Sequence, residues 1–217
     1  MPFLIGLAAF AALLVLIQVG AVSVAFDRLG LTTESGMLLL LACVIGSLLN
    51  MPLFRLRTDG TYPMQRPAAE DGETVKLPAY PVFCNRTVVA VNVGGAVIPV
   101  AFCAWLLLHM PLSVPVVLLA VVIQTAVCYL FSRPVAGLGI GMPILVAPVA
   151  AAVLGVSMGG DQAAPLAYVA GTLGVLLGCD LLRLRDIRRL HVPLAAIGGA
   201  GTFDGVFITG IIAVILT

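Results

Sequence analysis

Two carboxylates stand within apolar stretches of the sequence, and their residue type is suited to chemistry. Asp180 lies at the end of the apolar run 163–182, and Asp204 lies inside the next run, 192–217. An ionisable group inside a membrane-type segment is costly, and by default it marks a functional site. Two adjacent carboxylates share one proton, so that one activates a water while the other donates to a carbonyl oxygen. The pattern predicts a catalytic aspartyl dyad of Asp180 and Asp204.

A glycine-rich segment precedes Asp204 and favours binding of an extended peptide. Backbone without side chains can approach a peptide closely and offer its N–H and C=O groups. Asn92, which is followed by Gly94 and Gly95, is a further candidate, although an Asn among small residues also suits helix packing. The predicted substrate-binding residues are Gly198, Gly199, Gly201, Thr202 and Asn92.

The dyad requires the last two apolar runs to bring the carboxylates to the same depth. Consecutive spans joined by a short loop are usually antiparallel neighbours. In an ideal helix, Asp204 would lie about 18 Å beyond Val192. Pro193 and the glycines that follow make a poor helix start. If 193–203 is partly non-helical, Asp204 lies near the start of the last helix, level with Asp180.

The composition requires lipid as the main solvent of these elements. Of the 217 residues, 61% are hydrophobic and 10% are charged, against about 25% charged in a soluble domain. This excludes a cytosolic enzyme, a disordered chain and a nucleic-acid binder. We predict an all-α, polytopic transmembrane helix bundle with about seven spans, forming one integral membrane domain over 1–217. The expected spans are 3–26, 36–54, 87–110, 116–131, 142–158, 163–182 and 192–217.

Basic residues give the bundle an orientation. If the hydrophilic loop 55–86 and the connections 132–141 and 183–189 face the cytoplasm, ten of the eleven Lys and Arg residues lie inside. This is the positive-inside pattern. It predicts a multi-pass protein of the cell inner (plasma) membrane with a cytoplasmic N-terminus and a cytoplasmic loop over 55–86.

The expected partners are membrane lipid and a transmembrane peptide substrate, with no nucleic acid, and the oligomeric state is left open. We expect no metal and no cofactor. The five cysteines contain no C-x-x-C pair and are interpreted as packing residues. His109 and His191 fall on opposite sides of the bundle in the predicted topology, so they cannot share a metal.

Several motifs resemble those of an uncharacterised, domain-of-unknown-function family of small polytopic prokaryotic membrane proteins. The motifs are Gly178-x-Asp180-Leu-Leu and Gly198-Gly-Ala-Gly-Thr-Phe-Asp204-Gly. A looser similarity is to the GxGD-type aspartyl intramembrane proteases: presenilin, signal peptide peptidase and the prepilin peptidases. That similarity implies an aspartic-type endopeptidase with one Asp on each of two helices. Here Asp180 follows Gly-Cys rather than Gly-x-Gly, and no Pro-Ala-Leu occurs in the last span.

Two other interpretations remain open. An ion- or proton-coupled transporter or channel would use the same two carboxylates as its coupling site, with the glycine run as a broken helix. A structural membrane protein would pair Asp180 with the arginines of 183–189. Close carboxylates at a cavity would favour the protease, and extra oxygen ligands around one carboxylate would favour transport.

Overall fold

A computed structural model describes Gly20 and residues 22–57, 86–135, 139–189, 192–199 and 205–217. The described chain is mostly helical. Its α-helices are α1 Val22–Arg28, α2 Thr33–Ser47, α3 Ile98–His109, α4 Val114–Phe131, α5 Val146–Met158, α6 Ala163–Val175 and α7 Gly205–Leu216. Two wider, π-helical turns extend this set, Val93–Val97 before α3 and Leu176–Leu181 after α6. Short 3₁₀ turns cover Gly160–Gln162 and Asp186–Arg189.

Five short strands accompany the helices within the described residues. They are β1 Asn50–Arg57, β2 Arg86–Asn92, β3 Arg133–Val135, β4 Gly139–Gly141 and β5 Leu194–Ile197. One sheet has the order β1-β2-β5, in which β2 pairs antiparallel with β1 and parallel with β5. Strands β3 and β4 form a separate antiparallel pair. The prediction of an all-α chain is therefore wrong for these segments.

Most strand residues of β1, β2 and β5 lie within or next to apolar runs that are predicted from the sequence as helical spans. Residues 87–91 are Thr-Val-Val-Ala-Val, rich in the β-branched types that pack well on a pleated sheet. They continue without a break into the helical residues of 98–109, and a short apolar run cannot be assigned to helix or strand by periodicity alone. The central position of β2 explains why Val89 and Ala90 are fully buried.

Helix α6 is the centre of the bundle, and it packs against α3, α4, α5 and α7. Small residues permit this. A Cβ on Gly174 would collide with Gln124 of α4, and one on Gly171 would meet Ala151 of α5 at 3.1 Å. The surrounding helices therefore approach the α6 backbone directly, as helices do in membranes where small residues line the interfaces.

In the part of the chain that the structure describes, two helices are long and apolar enough to cross a membrane, Val114–Phe131 and Gly160–Leu181. A third crossing arises if α1 and α2, bent by 107° at their junction, count as one span. Residues 93–109 and 146–158 form shorter apolar helices. The outward side of α4 is apolar, with Leu118 and Val122 more than 60% exposed, as a lipid-facing surface would be.

The remaining predicted boundaries differ from the structure in specific ways. The expected span 36–54 ends early, because α2 stops at Ser47 and β1 follows. The ends of the predicted loop 55–86 are paired strand residues, and its centre, 58–85, lies outside the described residues, as does most of the expected first span. In agreement with the predicted broken start of the last span, 194–197 are extended, and 200–204, between them and α7, lie outside the described residues.

Candidate functional site

Asp180 lies in the π-helical turn that ends the α6 segment. This turn, Leu176–Leu181, closes with the N–H of Leu182 donating to the carbonyl of Leu177 at 2.9 Å. The Asp180 carboxylate is partly buried, and its Oδ2 accepts a hydrogen bond from the backbone N–H of Gly198 at 2.8 Å. A carboxylate and the predicted glycine-rich segment therefore meet directly.

The backbone conformation after β5 presents the Gly198 N–H to Asp180. Gly198 has φ +79° and Gly199 has φ +91°, values that glycine adopts at no steric cost. A Cβ on Gly198 would stand 2.7 Å from the Cβ and backbone N of Ala96. Only glycine fits this position without displacing the turn that follows β2.

The parallel pairing of β2 and β5 brings two glycine pairs to one edge of the sheet. Val91 pairs with Ile197, so the residues that follow each strand start side by side. Gly94 and Gly95 follow β2, and Gly198 and Gly199 follow β5. The site is therefore walled by backbone from both segments, with Asp180 on the third side.

The buried side chain of Asn92 forms hydrogen bonds that connect the segments at this edge of the sheet. Its Oδ1 accepts from the N–H of Gly95 at 2.7 Å, which caps the helical segment beginning at Val93. Its Nδ2 donates to the carbonyl of Ser47 at 2.7 Å and to Oδ1 of Asn50 at 3.0 Å. These three bonds occupy the amide of a side chain that is 1% exposed. The structural interpretation of Asn92 gains support, and its role in substrate binding stays a prediction.

Three arginines that follow Asp180 in the sequence either bind other groups or are exposed. Arg183 donates to the carbonyls of Tyr129 and Ser132 at 2.7 Å each, and it forms an ion pair with Asp186 at 3.1 Å. Arg185 and Arg188 are exposed. Within the described residues, Asp180 forms no ion pair with Arg183, Arg185 or Arg188, and the side chain of Arg189 lies outside the described residues.

The second predicted catalytic residue, Asp204, lies outside the described residues together with Gly201 and Thr202. Helix α7 begins at Gly205, the next residue in the sequence. Its register against α6 is antiparallel: Thr209 lies beside Gly171, and Gly210 packs on the ring of Tyr168. Continued to the helix start, this register sets Gly205 level with Val175, about 7.5 Å along the axis from Asp180 at 1.5 Å per residue.

The roles of two residues at the site, Asn92 and Arg183, were not predicted from the sequence. The capping role of Asn92 depends on a helix that starts at Val93, and the pattern of Asn followed by a small-residue helix start was its only signal. The anchoring role of Arg183 depends on the end of α4, more than 50 residues earlier in the chain, and has no local signal.

Together, the long apolar helices and the carboxylate within one of them define a mostly helical protein able to cross a membrane. The chain belongs to the family described as "Protein of unknown function (DUF1614)", whose model matches residues 44–216. This range contains both motifs on which the resemblance to an uncharacterised family rests. Neither a curated protein nor a solved structure matches the chain.

Proposed function

We propose that this chain is an intramembrane aspartyl protease in which Asp180 and Asp204 form the catalytic dyad. The observation that carries the proposal is the 2.8 Å hydrogen bond from the Gly198 N–H to Asp180. It attaches the segment that leads to Asp204 to the other carboxylate. The register of α7 against α6, which sets Gly205 about 7.5 Å along the axis from Asp180, supports placing the two residues toward the same end of the bundle.

The proposed chemistry is general acid–base catalysis by two carboxyl groups that share a proton. The ionised member takes a proton from water, and the protonated member donates to the carbonyl oxygen of the scissile peptide bond. The Gly198 bond uses one Asp180 oxygen, and Oδ1 has no hydrogen bond to any described residue. The substrate is an extended peptide within the membrane, bound by backbone groups of 198–202.

The proposed topology has about seven spans, a cytoplasmic N-terminus and a position in the inner (plasma) membrane. Contacts between the predicted cytoplasmic segments support it. Arg183 donates to Oγ of Ser132 at 3.2 Å, which joins the connections 132–141 and 183–189. Ile187 packs in one cluster with Leu56, which lies at the start of the loop 55–86, and with Val89, which follows the loop. The described residues of these three connections thus contact one another at the end of the molecule where Asp180 also lies.

A second candidate function is a proton- or ion-coupled transporter that uses the same carboxylates. Buried polar atoms in the two long helices favour it. Four of them have no hydrogen-bond partner among the described residues: Gln124 Oε1, Thr125 Oγ1, Tyr168 Oη and Thr172 Oγ1. Buried polar atoms normally have partners, so transient water or a passing ion would satisfy these groups.

The test is cleavage of a membrane-embedded reporter peptide by the purified full chain in lipid vesicles. Asp180→Asn and Asp204→Asn should each abolish cleavage, because a dyad needs both carboxyl groups. Asp161→Asn is the matched control, since Asp161 lies in an exposed turn between α5 and α6. It should cleave like the unaltered chain.

Two outcomes contradict the protease. Cleavage that survives either dyad substitution eliminates the shared-proton mechanism. Absence of cleavage by the unaltered chain, together with proton uptake into vesicles that Asp180→Asn abolishes, assigns the site to transport instead.

A further inference from the structure

Three sulfur-containing side chains from separate elements pack in one cluster at the turn Leu176–Leu181. Cys179 Sγ lies 3.9 Å from Met142 Sδ. It also contacts α4, because it donates to the carbonyl oxygen of Cys128 at 3.8 Å, and Cys128, Cys179 and Met142 pack in one cluster. We propose that Cys128, Cys179 and Met142 form a binding site for a monovalent soft metal ion, Cu(I).

The spacing of the Cys179 and Met142 sulfurs suits three-coordinate binding. Metal–thiolate bonds are about 2.3 Å long, so three sulfurs at 120° around one ion stand about 4 Å from each other. The 3.9 Å between Cys179 Sγ and Met142 Sδ fits this triangle without movement of either residue. Thiolate and thioether ligands together select Cu(I) over harder ions.

The backbone holds the two cysteines in place. A Cβ on Gly178 would stand 2.8 Å from the Cβ of Cys128 and 2.6 Å from the carbonyl oxygen of Thr125. The turn that carries Cys179 is therefore pressed directly against α4. Cys128 is fully buried and Cys179 is 7% exposed, which shields a bound Cu(I) ion from water.

Binding of Cu(I) changes the charge of the site. Binding of Cu(I) by two thiols releases two protons to solvent and leaves two thiolates on one ion. Gln124 Nε2 donates to Cys128 Sγ at 3.6 Å, which places a polar group against one of the two thiolates. In the proposed topology this end faces the cytoplasm, where thiols remain reduced.

The site is independent of the proposed protease activity. Neither dyad carboxylate is a ligand, and the third ligand is a methionine. Among the described residues, no three His, Cys, Asp or Glu side chains form a metal cluster. Because Cys128 and Cys179 are 51 residues apart, a local cysteine motif could not reveal the site.

The test is Cu(I) titration of the purified full chain in detergent under argon, with bicinchoninate as a coloured competitor. The full chain should withdraw one Cu(I) from the competitor. Cys128→Ser and Cys179→Ser should withdraw none. Cys43→Ser and Cys103→Ser are matched controls, because both residues are buried free cysteines in other parts of the core. They should retain full binding.

Met142→Leu keeps the side-chain volume nearly unchanged, so it separates ligand loss from misfolding. It should weaken Cu(I) binding by at least about tenfold, since even outer-shell losses cost that much. Binding unaffected by the Cys128, Cys179 or Met142 substitutions overturns the site. A thiol titration that finds Cys128 and Cys179 joined as a disulfide in the protein kept under argon would do so as well.

Discussion

The backbone N–H of Gly198 donates to Oδ2 of Asp180 across 2.8 Å, although 18 residues separate the two in the sequence. The bond joins the last turn of the α6 segment to the end of β5. Because β5 is also held by the central strand β2, the bond couples a membrane-type helix to the sheet. Asp180 therefore has a structural role, whichever chemistry the site performs.

The structural and chemical roles of Asp180 can be separated with two substitutions. Asp180→Asn retains an oxygen that accepts the Gly198 N–H, so the thermal midpoint should stay close to that of the unaltered chain. Asp180→Ala leaves this N–H without its acceptor, at a cost of about 1–3 kcal/mol. For a chain of this size, about 1 kcal/mol lowers the midpoint by roughly 2–4 °C.

The measurement is thermal unfolding in detergent, compared with reporter cleavage for the same preparations. Cleavage lost in Asp180→Asn without a change in midpoint assigns the carboxyl group to chemistry. Equal midpoints for the Asn and Ala variants would show that the Gly198 bond does not stabilise the fold.

Gly198→Ala should destabilise the chain through both its φ value and a collision. A left-handed φ costs a non-glycine residue about 1–2 kcal/mol. The added Cβ must also displace Ala96, 2.7 Å away, which costs about 1–3 kcal/mol more when a packed region is overfilled. The thermal midpoint in detergent checks this.

Gly160→Ala is the matched control for Gly198→Ala. Gly160 has φ +52°, and nothing lies within 4 Å of its added Cβ. It should show the conformational cost alone. If the two variants lose equal stability, close packing of Gly198 on the turn after β2 contributes nothing.

Some secondary-structure elements could be predicted from the sequence and others could not. The long apolar stretches ending near Phe131 and Leu181 predicted helices, because length separates a span from a strand. The strand at 86–92 could not be predicted, since its partners β1 and β5 are distant in sequence and its apolar run continues into α3. The break after Pro193 was predicted from local glycine chemistry.

Asn92→Ala should be among the more damaging single changes in the sheet region. It removes the helix cap formed with the Gly95 N–H and the bond to the Ser47 carbonyl, so both of these groups lose their partner. Each unpaired buried group costs about 1–3 kcal/mol. Unfolding in detergent should show a midpoint well below that of the unaltered chain.

Asn50→Ala provides the comparison for Asn92→Ala. It removes only one of the three Asn92 hydrogen bonds, that to the Asn50 side chain. It should cost no more than about 1 kcal/mol, the net value of one exchanged hydrogen bond. A substrate-binding role for Asn92 instead predicts that Asn92→Ala impairs cleavage while leaving the midpoint unchanged.

Arg183→Lys should not behave as a conservative change. The guanidinium lies 4.3 Å from the ring centroid of Tyr129, donates to two carbonyls at the end of α4 and pairs with Asp186. A lysine ammonium lacks the planar, forked set of donors that makes these contacts together. Losing several of them at a side chain that is 16% exposed should cost about 1–3 kcal/mol.

Arg185→Lys is the matched control for Arg183→Lys. It tests whether the loss of stability depends on position 183 or follows from any Arg-to-Lys change in this segment. Arg185 is exposed, so its replacement should change the free energy of unfolding by less than about 0.5 kcal/mol. Because Arg183 ties α4 to the turn after Asp180, Arg183→Lys should also increase hydrogen exchange of backbone amides in 176–182. Unchanged exchange there, with a lowered thermal midpoint, would confine the role of Arg183 to the end of α4 and separate it from the Asp180 turn.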